Sequence, residues 1–342
     1  MDYHLPEELR MLKETLRRFI DNEVIPIERE AYDGPEMVPE IRAKLETRAK
    51  ELGIWGVDVP EKLGGLGMGL LARAVIWEET GRTIAFPRRK KWIFGPDVSP
   101  LLAGYANDEQ IEKYLKPCIE GNLKPGFAQT EPDAGGDPAG MKTTAVRDGD
   151  EYVITGAKVW TSKAPYCDMC LLLVRTTPYE EAASPTDGIS LFLVDLDDPA
   201  VDITPIAKVG RNAVVSCEVR YDGLRVPASR LIGNEGEGFR YILDGLNPER
   251  ILIAAEALGI GKAAVDRAVE YANTRVVFDR PIGQNQGISF PLAQAHMKLH
   301  AAELMIRNAS WQYDQGIGCA EEANTAKYLA SEAGFFAADR AM

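Results

Sequence analysis

Hydrophobic residues recur along the chain in three different patterns, which predict three zones of secondary structure. From residue 7 to about residue 122 they lie three and four positions apart, as Leu9, Leu12 and Leu16 do. This spacing is typical of amphipathic helices. The glycine-rich segment 63–69 interrupts the pattern. It lacks the layout of a phosphate-binding loop, so we predict a turn between helices there.

The second zone, from about residue 123 to residue 233, has the pattern of β-strands. Residues 144–147 and 151–154 flank an Asp-Gly-Asp segment, which is a hairpin signal. Further strand-like runs lie at 169–174, 189–194 and 216–221. Because clusters of Pro, Gly and Asp separate these runs, and no long helical pattern intervenes, we predict a small antiparallel sheet folded as a barrel or sandwich.

Helical spacing returns from about residue 238 and is rich in alanine. One stripe consists of Ala323, Ala326, Ala330, Ala333 and Ala337. Alanines allow helices to approach closely, which favours a helical bundle. The chain ends at Met342 inside this pattern, without a glycine that would cap the helix. We therefore expect the C-terminal end of the bundle to be missing.

Together the zones predict an α+β multidomain fold. We place an N-terminal α-helical domain at 1–122, a middle antiparallel β domain at 123–234 and a C-terminal four-helix-bundle domain at 235–342. The 342 residues are 45% hydrophobic and 27% charged, which is typical of a soluble globular protein.

The charge balance narrows the range of partners. The chain has 39 Lys and Arg against 52 Asp and Glu, a net charge of −13, which opposes binding to nucleic acid or to an anionic membrane surface. No segment approaches the roughly 18 apolar residues of a membrane span, and the first residues lack the layout of a signal peptide. Five cysteines form an odd set without zinc spacing. We expect a cytoplasmic protein with no nucleic-acid partner and no membrane span.

Metal chemistry has little support in the sequence. Cys167 and Cys170 form a CxxC pair without a second pair to complete a zinc site. His296 and His300 are four positions apart on a predicted helix, but Met297 stands where a zincin needs glutamate. We predict structural roles for all four residues and no metal site.

Two polar segments of the second zone could hold a flat cofactor. Segment 127–138 combines Gln and Thr side chains with two adjacent glycines, a set of donors that suits a polar ring or a pyrophosphate. Segment 158–162 places Trp160 beside two hydroxyls, enough to cover one face of a ring and bond its edge. The alternatives stay open: an ordinary Asp/Gly/Pro loop and a tryptophan that packs on the core.

Four segments, taken in order, resemble the acyl-CoA dehydrogenase family. They are TEP with AGGD at 130–137, GAKVWTS at 156–162, LIGNEGEGF at 231–239 and RVVFDRPIGQNQ at 275–286. The resemblance implies a helical domain, a β domain and a helical bundle, assembled as a homodimer or homotetramer. It also implies FAD as cofactor, an acyl-CoA substrate from fatty acid and lipid metabolism, and an electron-transferring flavoprotein as partner.

The resemblance further implies roles for individual residues. FAD would be bound by Phe127, Gln129, Thr130, Gly135, Gly136, Trp160, Thr161 and Ser162, and from a neighbouring subunit by Arg275, Phe278 and Gln286. The acyl-CoA thioester would be lined by Gly136, Leu246, Asn247 and Arg250. Thr130 would bond the pyrimidine edge of the flavin, Trp160 would cover the ring, and Ser162 would approach N5.

Two positions depart from the family pattern. Gly136 stands where the family usually has serine, which removes one hydroxyl contact to cofactor or substrate. Asp279 replaces the usual glycine after Phe278. If the backbone there needs a positive φ, aspartate tolerates it better than most residues, but its charge would repel a pyrophosphate. We expect weaker FAD binding than is typical.

The chemistry requires a base for the α-proton while a hydride leaves the β-carbon. A carboxylate in a desolvated pocket suits this role because burial raises its pKa. The family places its base either far down the bundle, beyond Met342, or at the position of Glu249. Glu249 is our hypothesis for the catalytic residue. The alternative is a solvated glutamate near a helix start, where the helix dipole favours it.

We therefore predict an FAD-dependent acyl-CoA dehydrogenase that forms trans-2-enoyl-CoA and passes electrons to an electron-transferring flavoprotein. Two alternatives stay open: an acyl-CoA oxidase that reduces oxygen, and a non-catalytic subunit of a heteromeric assembly. Residues 90–97 fall where the family lines its acyl pocket, but the acyl group cannot be read from them.

Overall fold

The chain folds into two compact units. A computed structural model describes residues 4–33, 36–57, 59–86, 100–210 and 214–342. The helical unit combines Met1–Gly95 with Leu246–Met342, and the sheet unit comprises Pro96–Gly245. The predicted domain boundaries after residues 122 and 234 remain predictions, whereas the order of helical, sheet and helical zones is confirmed.

The α-helices follow the three-zone pattern. In chain order they are α1 (Glu7–Phe19), α2 (Pro39–Glu51), α3 (Gly69–Thr80), α4 (Pro100–Tyr105), α5 (Asp108–Gln110), α6 (Lys116–Glu120), α7 (Gly238–Thr274), α8 (Gln286–Asp314) and α9 (Ala320–Ala341). A π-helical turn at Ile111–Leu115 connects α5 to α6. The glycine-rich segment 63–69 lies between α2 and α3, as predicted.

The predicted apolar stripes form the core of the helical unit. In α1, Leu16 and Phe19 are almost fully buried, and acidic residues in the first turn with basic residues in the last turn suit the helix dipole. The five alanines of the α9 stripe are all buried. A Cβ added to Gly334 of α9 would lie 2.7 Å from the carbonyl oxygen of Ala257 in α7. Glycine is therefore required where these two helices touch.

Four helices of this unit are joined by ion pairs between buried or partly buried side chains. The ammonium of Lys262 on α7 lies 2.7 Å from Glu78 on α3 and 2.8 Å from Glu303 on α8. Lys13 on α1 lies 2.7 Å from the same oxygen of Glu78. Burial alone would raise the pKa of Glu303, but Lys262, Lys13 and Arg307 outweigh it and lower that pKa to about 2. The carboxylate is thus held ionised between residues from distant parts of the sequence.

The described strands of the middle zone form one sheet. They are β3 (Pro125–Ala128), β4 (Thr144–Asp148), β5 (Glu151–Ser162), β6 (Met169–Arg175), β7 (Ile189–Asp195), β8 (Val201–Pro205), β9 (Ser216–Pro227) and β10 (Leu231–Ile232). Two short hairpins lie outside it, β1 (Tyr32–Asp33) with β2 (Glu36–Met37) and β11 (Val276–Val277) with β12 (Arg280–Pro281).

The sheet is mainly antiparallel, as predicted, but β6 pairs in parallel with both β3 and β4, the latter through Arg175 and Thr144. Its strand order is β10-β7-β6-β4-β5-β9-β8, and the β4–β5 hairpin is confirmed. β3 runs parallel to β6, with Phe127 opposite Leu171, a pairing that the sequence pattern did not indicate. This pairing fixes the start of the segment that follows β3. Every residue of β6 is buried, as expected for an apolar strand covered on both faces.

Acid should weaken the helical unit through Glu303. Because the pKa of Glu303 in the folded chain, about 2, lies below its unfolded value of about 4.3, the stabilisation is complete above about pH 5 and is lost as the pH falls toward 2. We expect the free energy of unfolding to fall between pH 5 and pH 2 by on the order of 2–3 kcal/mol more in the native chain than in Glu303→Gln. Denaturant titrations at several pH values measure this difference. The exposed Glu14 of α1 supplies the control: Glu14→Gln should follow the native curve, and equal acid sensitivity of Glu303→Gln would refute the assignment.

Candidate functional site

The residues predicted to surround the flavin ring meet at one place in the sheet unit. Phe127 lies on β3, Gln129 and Thr130 follow it, and Trp160 lies near the end of β5. The backbone N–H of Val159 donates to the carbonyl oxygen of Thr130 at 2.8 Å, so the two segments are joined directly. Phe127 is 39% exposed and Trp160 is 55% exposed. Their rings are therefore available to a ligand on the surface of this unit.

A bulge in β5 turns Trp160 outward. The pairing of β5 with β9 changes register between Lys158 and Thr161, and Trp160 has a φ of 63°. As a result Lys158 and Thr161 are both buried on either side of an exposed tryptophan. A left-handed backbone costs a non-glycine residue about 1–2 kcal/mol. Such strain persists only where the surrounding structure enforces it, and it is common at functional sites.

A buried ion pair lies beneath this bulge. The ammonium of Lys158, which is 0% exposed, donates to Oε1 of Glu131 at 2.8 Å and to the carbonyl oxygen of Gln129 at 3.1 Å. Glu131 also accepts hydrogen bonds from the backbone N–H groups of Lys142 at 2.6 Å and Thr143 at 3.0 Å. Every oxygen of the carboxylate therefore has a partner, as a buried charge requires.

The pair shifts the pKa values of both partners. Burial would raise the pKa of Glu131, but the charge of Lys158 and the hydrogen bonds of Lys142 and Thr143 outweigh it, and this pKa lies below its ordinary value. Burial lowers the pKa of Lys158, against the opposing charge of Glu131. We take the pair as ionised at neutral pH because four hydrogen bonds stabilise the two charges.

Sequence reasoning assigned no role to Glu131 or Lys158, although both lie inside the quoted motifs. The alternation of inward and outward residues along β5 could have indicated both roles. Tyr152 and Ile154 face the core from β5, and residue 158 lies in phase with them. A lysine at an inward position of a strand demands a buried anion, which a search for carboxylates near 127–138 would have found.

The loop after Glu131 leaves two glycines open. Gly135 and Gly136 are exposed, and a Cβ built on either would meet no atom of the described residues within 4 Å. The far end of the loop is fixed, because the buried guanidinium of Arg175 donates to the carbonyl oxygen of Ala139 at 2.6 Å. The loop is therefore anchored at Ala139, while the backbone at its two glycines is open to close approach by a ligand.

These features fit a flat ring with a polar edge. Trp160 and Phe127 supply aromatic faces, and the side chains of Thr130 and Ser162 are at least partly exposed. Thr161 differs from its neighbours because its hydroxyl faces the interior, where it has no hydrogen-bond partner among the described residues. Its predicted contact with FAD remains a prediction.

The residues predicted to reach a neighbouring FAD lie in the helical unit. Phe278 and Asp279 form the two-residue turn between β11 and β12, with φ values of 52° and 62°. Two positive φ angles are typical of a type I′ turn, which favours glycine or asparagine. Asp279 therefore does occupy a position that needs a positive φ. Phe278 is 93% exposed, and Arg275 and Gln286 are also exposed.

The predicted thioester residues and the predicted base share one stretch of α7. Leu246, Asn247, Glu249 and Arg250 are each partly buried, and the guanidinium of Arg250 donates to the side-chain oxygen of Asn247 at 3.1 Å. Pro248 lies inside α7 and has no N–H to donate to the carbonyl four residues earlier. The predicted acyl-pocket segment 90–97 lies outside the described residues.

The remaining candidates are the histidines and cysteines that were considered as metal ligands from the sequence. His296 and His300 are exposed on α8, while Cys170 is fully buried in β6 and forms no disulfide. Within the described ranges, no group of His, Cys, Asp and Glu could hold a metal ion. Among the helices of those same ranges, none is both long and apolar enough to cross a membrane.

Comparison with known proteins identifies the family to which this chain is similar. Models of the acyl-CoA dehydrogenase N-terminal, middle and C-terminal domains match residues 6–122, 126–224 and 236–342. The chain is 36% identical over 333 residues to the acyl-CoA dehydrogenase FadE12 of Mycobacterium tuberculosis, covering 96% of this chain and 84% of that protein.

Two further comparisons concern a named complex and a solved structure. The chain is 32% identical over 333 residues to the caffeyl-CoA reductase-Etf complex subunit CarC of Acetobacterium woodii, covering 96% of this chain and 85% of that protein. The structure of the glutaryl-coenzyme A dehydrogenase glutaryl-CoA complex superposes with a TM-score of 0.88 and 29% identity, covering 100% of this chain and 86% of that one. The chain thus belongs to the acyl-CoA dehydrogenase family and is an oxidoreductase that acts on acyl-CoA.

Proposed function

We propose that this protein is an FAD-dependent acyl-CoA dehydrogenase that converts an acyl-CoA thioester to the trans-2-enoyl-CoA. One observation carries the proposal: in a chain of this family, the Trp160 ring is exposed on a strained bulge that is bonded directly to the Thr130 segment. The family is generally flavin-dependent, and the exposed aromatic and hydroxyl groups here suit an isoalloxazine ring. FAD, when bound, supplies the acceptor for the substrate's β-hydride.

The sheet unit provides the proposed cofactor site. The indole of Trp160 would cover one face of the ring and exclude water from it. The side chain of Thr130 would bond the pyrimidine edge, and the hydroxyl of Ser162 would approach N5. The open backbone of Gly135 and Gly136 lets the cofactor or the thioester approach.

Glu249 is the proposed base. Its carboxylate takes the α-proton of the thioester while the β-hydride leaves, so one C–H bond breaks at each carbon and a double bond forms between them. Leu246, Asn247 and Arg250 on the same stretch of α7 line the thioester. Glu249 is partly buried, and a base for this chemistry has to act where water is partly excluded.

A neighbouring copy completes the proposed cofactor site. Arg275, Phe278 and Gln286 are exposed on or beside the β11–β12 hairpin, where they can serve the FAD of another subunit. The guanidinium fork of Arg275 matches the oxygens of a pyrophosphate. We therefore propose a homodimer or homotetramer. An electron-transferring flavoprotein is the proposed acceptor, supported by the named Etf complex of the relative CarC.

The reverse direction is a second candidate. The relative CarC is named as a subunit of a reductase, and the same residues would serve the reduction of an enoyl thioester, with protonated Glu249 returning a proton to the α-carbon. Anaerobic spectra distinguish the directions when saturated acyl-CoAs and aryl-substituted enoyl-CoAs are compared. Bleaching of oxidised FAD by saturated substrates supports the dehydrogenase. Rapid reoxidation of dithionite-reduced protein by the enoyl substrates alone supports the reductase.

The visible spectrum of the FAD-loaded chain tests the proposal as a whole. We expect the flavin band near its usual position and its loss on anaerobic addition of mixed saturated acyl-CoAs. Oxygen consumption on addition of substrate in air would instead support the oxidase alternative. Bound flavin that no acyl-CoA or enoyl-CoA alters would contradict both enzymatic candidates and favour a non-catalytic subunit.

Substitution of Glu249 tests the base. In Glu249→Gln we expect FAD to bind as in the native chain, while the rate of flavin reduction by substrate falls by roughly 10²-fold to 10⁴-fold. Glu256 lies two turns further along α7 and is also partly buried, so Glu256→Gln is the matched control and should keep the native rate. Stopped-flow absorbance measures both variants. Full reduction by Glu249→Gln would place the base elsewhere.

The departure at Gly136 can be reversed. Since a Cβ at Gly136 meets no described atom within 4 Å, Gly136→Ser should fold normally and regain the hydroxyl contact, lowering the Kd for FAD or for a substrate analogue by about threefold to tenfold. Gly140 is equally open on the same loop, so Gly140→Ser controls for a general effect of serine. Equal Kd values in the two variants would show that Gly136 does not face either ligand.

A further inference from the structure

The ion pair of Glu131 and Lys158 has no part in the chemistry proposed above. We infer that it is a positioning element, which holds the Thr130 segment and the Trp160 bulge at the spacing that a flavin ring requires. The inference rests on the proposed function only for the identity of the ring. The spacing itself is a property of the chain.

The pair is poorly explained by stability alone. Removing an ammonium and a carboxylate from water is costly, and replacing a buried ion pair by neutral residues of similar volume is often neutral or stabilising. Lys158 is 0% exposed and Glu131 is 5% exposed, so both charges lose nearly all contact with solvent. A buried pair that is retained at this cost is best attested as a device that fixes one geometry among several.

The geometry shows what is fixed. Through the two charged groups, three separate segments are tied together: residues 129–131 after β3, residues 142–143 before β4, and β5 at Lys158. Without the pair, residues 142–143 would still be joined to β5 by the β4–β5 ladder and by the hydrogen bond of the Thr143 hydroxyl to Ala157. Residues 129–131 would keep the hydrogen bond of Thr130 to Val159 but lose both contacts to Lys158. The ammonium therefore acts as a common anchor for both sides of the proposed flavin site.

Thr130 is held from both directions along the chain. Its two neighbours, Gln129 and Glu131, both accept hydrogen bonds from the ammonium of Lys158. Its own carbonyl accepts from Val159, the residue after Lys158, at 2.8 Å. Together these hydrogen bonds fix the position of Thr130, because it cannot shift without breaking at least one of them.

The same set of hydrogen bonds enforces the strained backbone conformation of Trp160. Val159 is bonded to Thr130 and Lys158 is bonded to Glu131, so the two residues before Trp160 are fixed. The register change before Thr161 must then be absorbed at Trp160, whose φ is 63°. A left-handed non-glycine residue persists only when its surroundings over-determine it, and the ion pair supplies that constraint.

Three variants separate positioning from stability in the full chain. Glu131→Gln and Lys158→Met each leave one buried group without its partner, and we expect both to lose stability. The double variant Glu131→Gln with Lys158→Met leaves no uncompensated charge, and its unfolding midpoint should recover toward the native value. Tyr152→Phe is the matched control, since it removes a 2.7 Å hydrogen bond to Glu235 at the other end of the same strand.

The double variant decides the question. We expect its Kd for FAD to remain at least about tenfold above the native value despite the recovered midpoint, which is more than one lost neutral hydrogen bond usually changes affinity, and the flavin visible band to be displaced. Tyr152→Phe should keep the native Kd and spectrum. A double variant with native stability, native Kd and native spectrum would show that the pair is only structural.

A second readout needs no flavin. The emission of Trp160 is isolated by comparing each variant with the same variant carrying Trp160→Phe, and acrylamide quenching then reports the exposure of the ring in the flavin-free chain. The inference expects a changed quenching constant in the double variant and a native one in Tyr152→Phe. If the native chain binds no FAD, the proposed function fails, but this quenching result still supports or overturns the positioning role.

A further variant, Glu131→Asp, keeps the proposal testable if the double variant does not fold. Glu131→Asp keeps the charge balance but shortens the carboxylate by one methylene, so the oxygens cannot reach Lys158, Lys142 and Thr143 together. The positioning role expects altered Trp160 quenching in this variant, measured at a temperature well below its own unfolding midpoint so that the chain is folded. Native quenching in Glu131→Asp would overturn it.

Discussion

A lysine ammonium inside the sheet unit constrains most of what surrounds it. Strand alternation directs Lys158 inward, and the charge can remain there only with a carboxylate and further hydrogen bonds around it. Glu131 meets that need from the segment after β3, and its own oxygens then require the N–H groups of Lys142 and Thr143. Satisfying one buried charge thus determines the course of three segments, and the exposed side chains of the candidate site lie on two of them.

The helical unit contains buried charges of a different kind. Glu78 and Glu303 are shared among Lys13, Lys262 and Arg307, so each carboxylate has more than one cation. Loss of a single cation there leaves each carboxylate with another direct partner. Among the described residues, Glu131 and Lys158 form a salt bridge only with each other. Removing one partner of a buried ion pair is strongly destabilising because the other charge loses its partner. This difference makes the pair in the sheet unit suited to fixing one geometry.

The spacing of apolar residues correctly predicted those elements whose position depends on burial of one apolar face. The spacing of Leu16 and Phe19 in α1, the alanine stripe of α9 and the β4–β5 hairpin all follow from local patterns, because each places one face of an element against a core. The parallel pairing of β3 with β6 and the left-handed backbone of Trp160 could not be predicted in this way. Both depend on contacts between segments far apart in sequence, and a tryptophan carries no intrinsic preference for a positive φ. The family motifs located the candidate residues, but the reason for their arrangement lies in the ion pair.

The two departures from the family pattern have different physical origins, and neither is imposed by the fold. At Gly136 the described residues leave space for a side chain, so nothing in the chain itself excludes serine. At Asp279 the backbone has a φ of 62°, so the turn would accept glycine with less strain than the residue it has. The local backbone and packing thus require neither Gly136 nor Asp279. Gly136 removes a hydroxyl from an open loop, and Asp279 adds a negative charge beside the exposed ring of Phe278. If the proposed FAD site is correct, both changes would act on cofactor binding and not on the scaffold, as the sequence predicts.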